Sequence, residues 1–507
     1  MTAKLFSTTL AGAGLAFAMG TTMLATPAMA ETLKMAWSQD ATGLDPHKQT
    51  AFSSLRLLEL LYEPLVRLDA NLEVTPAIAA SWEFNDDATQ ITFHLDPDAR
   101  FQNGAAVTSA DVKASFERIL NEETGAAARA NFASITGIDT PDAETVVFTM
   151  DGPNVPILSA MTSANASVVP AAEIEAGTIG TEAVGSGPFV LAEWVPNSKV
   201  TLTTNPDWAG GTVSYDGIDI NVLPDETAIL AALRSGQVDF ALLNDPLIAT
   251  LVPNEASLTL NKEPVLAYHV LQLNPARGAM AELGVRQAIS CAVDRQEVLD
   301  TALLGEGRVT GPLTMPAYRT DPSALFCYER DVEKAKALMA ETGYADGFSA
   351  TVMAATGEPP TAAAEAQVLQ SQLAEIGIDL TIEMMELNVY VDAWLKGDFD
   401  MAVALNGGRD DPYTMYNRYW TKAGNLQHVA NYIDDELDSL MLEGRVETDL
   451  AKRKEIFAQF EQHLAEASPW VWLYTGYNYT AQQNYISGFA PNAMGSLFGL
   501  TSVSIDK

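Results

Sequence analysis

The sequence predicts a mixed α/β fold divided between two or more lobes, and three observations predict it. Strand-like runs alternate with amphipathic helices along the chain. Several helices pass into a strand through a single glycine, the short link that suits sheets covered by helices. The chain, at 507 residues, is also too long for one hydrophobic core. Early strands are expected at Thr32–Trp37, Gln90–Leu95 and Thr145–Thr149. From Asp225 the helical signals become explicit. Asp225 is an N-cap, Ile229, Leu230 and Leu233 share a face, and Gly236 stands where a left-handed C-cap belongs. Val332, Ala335, Leu338 and Met339 repeat the pattern before Gly343, and Leu369, Leu373 and Ile376 repeat it before Gly377. Ile456, Phe457, Phe460 and Leu464 mark a late helix with a broad apolar face. The passages Gly236–Phe240 and Gly377–Ile382 supply the helix-to-strand links. No fixed-period repeat or low-complexity linker interrupts these elements, so the lobes are expected to interweave, with the chain crossing between them more than once.

The first thirty residues read as a leader. Lys4 precedes an apolar run from about Leu10 to Leu24, and Ala28-Met29-Ala30 gives the small-x-small pattern of a cleavage site. A mature chain beginning at Glu31 is expected. The run is shorter than the ~20 residues of a membrane span, and Gly20, Thr21 and Thr22 break it. The 66 acidic residues against 29 basic ones give a net charge of −37. A surface so negative repels phosphate backbones and anionic lipid, which argues against nucleic-acid and membrane-surface partners. In an exported protein the two cysteines, Cys291 and Cys327, are more readily a disulfide than a catalytic thiol.

The residues offer little for catalysis. Five histidines (His47, His94, His269, His428 and His463) lack partners at metal-ligand spacing, so no metal and no cofactor is expected. Ser186 stands between Gly185 and Gly187 without the G-x-S-x-G spacing of a nucleophile elbow. Gly305-Glu306-Gly307 has no G-K-[ST] after it and reads as a turn. With 66 acids in the chain, no single carboxylate pair points to acid/base work.

An ordered set of short motifs is more informative. Ala79-Ala80-Ser81-Trp82-Glu83 is followed by Ile91–Leu95, then Phe101-Gln102-Asn103-Gly104 and Thr108-Ser109-Ala110-Asp111-Val112. Further on stand Gly185-Ser186-Gly187-Pro188-Phe189, Asn205-Pro206-Asp207-Trp208, the run Leu233–Asp239, and Val285-Arg286-Gln287-Ala288-Ile289 with Asp294-Arg295. In order and spacing, from about residue 60 to residue 412, these resemble the extracytoplasmic solute-binding protein family 5, which includes the dipeptide-, oligopeptide- and nickel-binding proteins of ABC importers. One departure is Asp96, where the family usually has Arg.

The resemblance implies a two-lobed periplasmic binding protein (Venus-flytrap) fold with hinge strands and an extra subdomain in the first lobe. The first lobe would comprise 31–265 and 481–507, with the subdomain at about 70–180, and the second lobe 266–480, with crossings at Tyr268–Asn274 and Trp472–Thr480. It implies capture of a peptide or peptide-like ligand between the lobes and delivery to permease subunits in the inner membrane, by a periplasmic monomer. Peptide binders of the family hold the ligand ammonium with an aspartate that falls here on Gly408, within Leu405–Pro412. Asp410 could substitute, or Arg409 could clamp a ligand carboxylate. Trp37, Tyr62, Tyr413, Trp420 and Tyr477 are candidate aromatic walls, and Ser186, Asn274 and Asn406 are candidate polar contacts. The missing aspartate gives weight to a non-peptide ligand such as an opine, a sugar or a metal chelate. A periplasmic hydrolase is the alternative of a different class, and a structural or chaperone role a third.

Overall fold

The computed structural model describes Thr2 and residues 31–507; apart from Thr2, the leader expected at 1–30 lies outside them. The chain opens on the strand Thr32–Trp37, whose buried residues Leu33, Met35, Ala36 and Trp37 place it inside a sheet. It runs parallel to Gly217–Val222 on one side and Phe240–Leu243 on the other. The full seven-stranded order is Leu258–Pro264, Tyr477–Gln483, Phe240–Leu243, Thr32–Trp37, Gly217–Val222, Lys199–Thr204, Phe189–Val195. A four-stranded antiparallel sheet carries Ala79–Phe84, Gln90–Leu95, Thr145–Met150 and Ile135–Asp139 beside it, with its own apolar core around Phe93, Phe116 and Phe148.

The second large sheet has six strands, in the order Arg308–Val309, Trp470–Thr475, Tyr268–Leu273, Met401–Asn406, Phe348–Ala355, Ile378–Met385. Tyr268–Leu273 and Trp470–Thr475 are buried along their whole length, because helices cover both faces. One face packs on Val285, Ile289, Leu369 and Leu373. The other rests on an aromatic cluster in which Trp420 and Trp470 stand 4.9 Å apart in edge geometry, with Tyr419 at 4.9 Å from Trp470. Each such ring contributes roughly 1.5–3 kcal/mol by leaving water. Cys291, on the helix Leu283–Ala292, is bonded to Cys327 across a sequence separation of 36, with Cα atoms 4.6 Å apart.

Between the two large sheets the chain crosses twice. The outgoing strand Tyr268–Leu273 follows Leu258–Pro264 after three residues, 265–267, and Gly476 alone separates Trp470–Thr475 from the return strand Tyr477–Gln483. The crossings lie side by side, with the amide of Val265 donating to the carbonyl of Gly476 at 3.3 Å. Here the structure corrects the expected boundary at 480. Residues 477–480 already pair with Phe240–Leu243 and Leu258–Pro264, so the second sheet ends at Thr475.

The lobes are closed on one another. Arg445 bonds Asp151 at 2.9 Å, the amide of Val155 donates to the Arg445 carbonyl at 3.0 Å, and Asn425 donates to the Ala126 carbonyl at 2.9 Å.

Candidate functional site

The cleft between the lobes is organised by the helix Phe52–Leu61. Leu57, Leu58, Leu60 and Leu61 bury one face in the first lobe, leaving Phe52, Arg56 and Glu59 at i, i+4, i+7 on the other. Its N-cap position holds Ala51, which offers no side-chain acceptor, and no acid lies in its first turn. The cap arrives from the opposite lobe: the amide of Phe52 donates to Oε1 of Glu358 at 2.8 Å.

Two connected chambers flank this helix. The first, about 90 Å³, lies over the hinge residues Val265, Ala267 and Gly476. Its walls are Trp37, Asn244 and Tyr477 from the seven-stranded side and His269, Glu358 and Leu405 from the other. The second, about 150 Å³, is bounded by Glu59, Tyr62, Ser163, Gly408, Arg409 and Ser496. Phe52, Arg56, Met494 and Gly495 line both chambers. A third recess past Phe52 carries Asn406, whose amide donates to the Tyr268 hydroxyl at 3.3 Å.

The charges in this space are unevenly matched. Arg56 stacks over Phe52 at 5.6 Å and donates to the Gly495 carbonyl at 3.3 Å. Burial lowers its pKa, opposed by the charges of Glu358 and Glu59. Glu59 accepts from Ser496 at 2.6 Å and from the Leu497 amide at 2.5 Å, yet burial pushes its carboxyl up to about 7. Arg409 makes one side-chain hydrogen bond, to the Ser163 hydroxyl at 2.9 Å across the cleft. Burial and the nearby Arg418 push it down to about 10, and Asp410 opposes them only in part. Among the described residues no carboxylate lies within 4.0 Å of Arg409. Asp410 itself accepts from Ser159 at 2.5 Å, again across the cleft.

Gly408 has a steric reason. A Cβ built there would lie 2.1 Å from the carbonyl carbon of Leu266 and 2.2 Å from its oxygen, against the backbone of the outgoing crossing. No side chain fits at that position without moving the hinge.

Of the residues expected at the site, Trp37, Tyr62, Asn406, Arg409 and Tyr477 line the cleft, and Asp410 borders it. The indole N–H of Trp37 and the hydroxyl of Tyr62 have no partner among the described residues. Four others do not reach it. Asn274 spends its amide on the carbonyls of Gly397 and Phe399, at 3.0 and 2.8 Å. Ser186 is buried where Gly185 and Gly187 press on the end of the cleft helix; a Cβ at Gly185 would lie 2.0 Å from the Leu61 oxygen. Tyr413 and Trp420 belong to the aromatic core. The sequence reading missed Phe52, Arg56, Glu59, His269 and Glu358. For the first three, a signal existed: one polar-edged face on a leucine-rich helix.

The model of the bacterial extracellular solute-binding proteins, family 5, matches residues 73–427. The chain belongs to this family. Among curated relatives, this family 5 protein is 29% identical to the probable D,D-dipeptide-binding periplasmic protein DdpA of Escherichia coli (strain K12), over 85% of each chain. It is 26% identical to the di/tripeptide-binding protein 4 of Pseudomonas aeruginosa (strain UCBPP-PA14), over 91% of each. Among solved structures, the periplasmic binding protein AgaA of A. tumefaciens R10, in complex with agropinic acid, matches with a TM-score of 0.86 and 29% identity. That match covers 94% of this chain and 99% of AgaA. DppA of Helicobacter pylori, in complex with the peptide STSA, matches in fold with a TM-score of 0.85 at 24% identity, over 94% and 98% of the two chains. The family is one of transporter binding proteins, not of enzymes, and among the described residues no helix is long and apolar enough to cross a membrane.

Proposed function

We propose that this family 5 protein is the periplasmic solute-binding component of an ABC importer, exported behind a cleavable leader and acting as a monomer. It encloses a small peptide-like ligand between its lobes and presents the closed form to the permease. The observation that carries the reading is the cleft itself: both lobes furnish its walls, and closure assembles it.

Within that class, the site favours an amino-acid conjugate that carries a carboxylate, opines included, over a peptide held by its ammonium. Gly408 leaves no room for an aspartate at the position where peptide binders of the family hold the amine. Arg409 instead brings a cation without a carboxylate partner to the wall of the second chamber. The likeness to AgaA, in complex with agropinic acid, supports this reading, and the likeness to DdpA keeps small dipeptides within it. Trp37, Phe52 and Tyr477 supply flat apolar walls, and Asn244 and Asn406 supply polar contacts for hydroxyl or amide groups.

The test is native mass spectrometry of freshly purified protein followed by calorimetry with agropinic acid, D-alanyl-D-alanine and L-dipeptides. Binding without turnover is expected, with Arg409→Gln weakening the carboxylate-bearing ligand about 10- to 100-fold, the worth of a charge-assisted hydrogen bond. Unchanged affinity in that variant would remove Arg409 from the site. Hydrolysis of any of these ligands would overturn the binding-protein reading.

A further inference from the structure

His269 is the second residue of the outgoing strand and lines the first chamber beside the hinge. Its Nδ1 lies 2.9 Å from Oε1 of Glu365, a fully buried residue on the helix Ala362–Ala374. The same oxygen accepts from the hydroxyl of Thr361 at 2.5 Å and from that of Tyr474 at 2.6 Å. The imidazole also lies on the Tyr474 ring, with centroids 4.3 Å apart and planes inclined by 23°. Ring position and ring rotation are therefore both fixed.

The charge balance is one-sided. Among the described residues His269 is the one basic side chain within 4.0 Å of Glu365, and Oε2 of that carboxylate has no partner at all. Burial pushes the Glu365 carboxyl up, but the charge of His269 and the hydrogen bonds from His269, Thr361 and Tyr474 hold it below its ordinary value. A buried carboxylate with three donors on one oxygen keeps a proton on the imidazole nitrogen facing it. The remaining nitrogen, Nε2, has no partner among the described residues, and His269 lines the chamber.

We propose that His269 is a ligand-binding residue, oriented through Nδ1 by Glu365, that binds the solute as the imidazolium and donates its Nε2–H to an anionic oxygen. The assignment rests on the reading of this cleft as the solute site and names the chemistry of one of its contacts: a carboxylate. Arg56 faces the same chamber from the first lobe, so a carboxylate between Arg56 and His269 would join the two lobes. Of the other titratable groups around it, Glu358 is engaged by the Phe52 amide, Tyr477 lines the opposite wall, and Tyr390, whose hydroxyl donates to the Val403 carbonyl at 2.9 Å, lines the third recess.

Long-range ¹H–¹⁵N spectra of the full mature protein labelled at histidine read the two ring nitrogens directly. Excess sodium acetate serves as the minimal probe and agropinic acid as the larger one. The expected result is a protonated Nδ1 and an Nε2 resonance that moves with either probe. By calorimetry, His269→Gln and Glu365→Gln should each weaken agropinic acid about 10-fold. Both should also reduce the preference for the acid over its neutral amide, with Arg56 retaining part of it, whereas a merely structural role would leave that preference intact. An unprotonated Nδ1, or an Nε2 resonance moved by neither probe, overturns the proposal. If acetate moves Nε2 while agropinic acid fails to bind, the opine reading falls and His269 stands.

Discussion

Two arginines, Arg409 within the loop between Asn406 and Pro412 and Arg453 packed against it, differ in their surroundings. Arg453, on the helix Leu450–Ala467, is buried and saturated. It grips Asp411 with two nitrogens, at 2.5 and 3.0 Å, donates to the Gly444 carbonyl at 2.6 Å, and bonds the Tyr318 hydroxyl. Asp411 in turn caps the helix Pro412–Trp420 through the amides of Tyr413 and Thr414. Although burial opposes it, pairing with Asp411 raises the Arg453 pKa, whereas that of Arg409 is lowered. Among the described residues Arg409 bonds a hydroxyl and touches no carboxylate, and the charge of Asp410 offsets its burial only in part. Neighbouring acids in sequence, Asp410 and Asp411, are thus divided between the cleft and the scaffold. A buried charge gripped by a carboxylate holds the fold, and one with no carboxylate in direct contact is available to a solute.

The contrast can be broken most directly by melting temperature. Arg453→Met leaves Asp411 buried and alone, and should cost about 3–5 kcal/mol of stability. Arg409→Met should leave the ligand-free protein within about 1 kcal/mol of wild type, or stabilise it, because it removes a charge the protein does not balance. Equal losses in thermal melts would erase the distinction.

A buried carboxylate without a cation extends the comparison to pH. Glu461 accepts from the Leu313 amide at 3.1 Å and from Thr320, and burial pushes its carboxyl to about 7. The folded state therefore binds this proton more tightly than the unfolded chain does. Its contribution is fully present below the ordinary glutamate range and is lost as pH rises through about 7. Glu461→Gln should reduce the loss of unfolding free energy between pH 5 and 8 by up to about 2–3 kcal/mol, read from denaturant melts at each pH. An unaltered slope would assign the decline to other groups. The smallest effect is expected at the rim, where Arg445 meets the half-exposed Asp151. Arg445→Ala should lower ligand affinity by less than about 1 kcal/mol, an effect further reduced by salt.

The parts of the fold that were legible in the sequence are those decided locally. Asp225 caps its helix through the Thr227 amide, and Gly236 and Gly377 adopt φ of 70° and 84°, where a Cβ would be strained. The site was legible only in part, because it is assembled from many segments distant in sequence. Asn274 was expected near the hinge since it follows a crossing strand, but six strand residues carry it roughly 20 Å away. His269 gave no sign in sequence; its meaning comes from Glu365, 96 residues further on. Trp420 looked like a ligand wall because large aromatics suit clefts, yet a neighbouring cluster of rings buries it more completely.

The return strand Tyr477–Gln483 has a consequence for the order in which the molecule is made. It lies between Phe240–Leu243 and Leu258–Pro264, bonded to both, so Phe240–Leu243 lacks its second partner and Leu258–Pro264 has no place in the sheet until residue 483 is available. A chain synthesised from its N-terminus leaves these edges open for more than 200 residues of further synthesis. Of the two large sheets, the one that opens the sequence is finished last. A product truncated anywhere before that strand leaves both edges free to join another chain, and gains no working half.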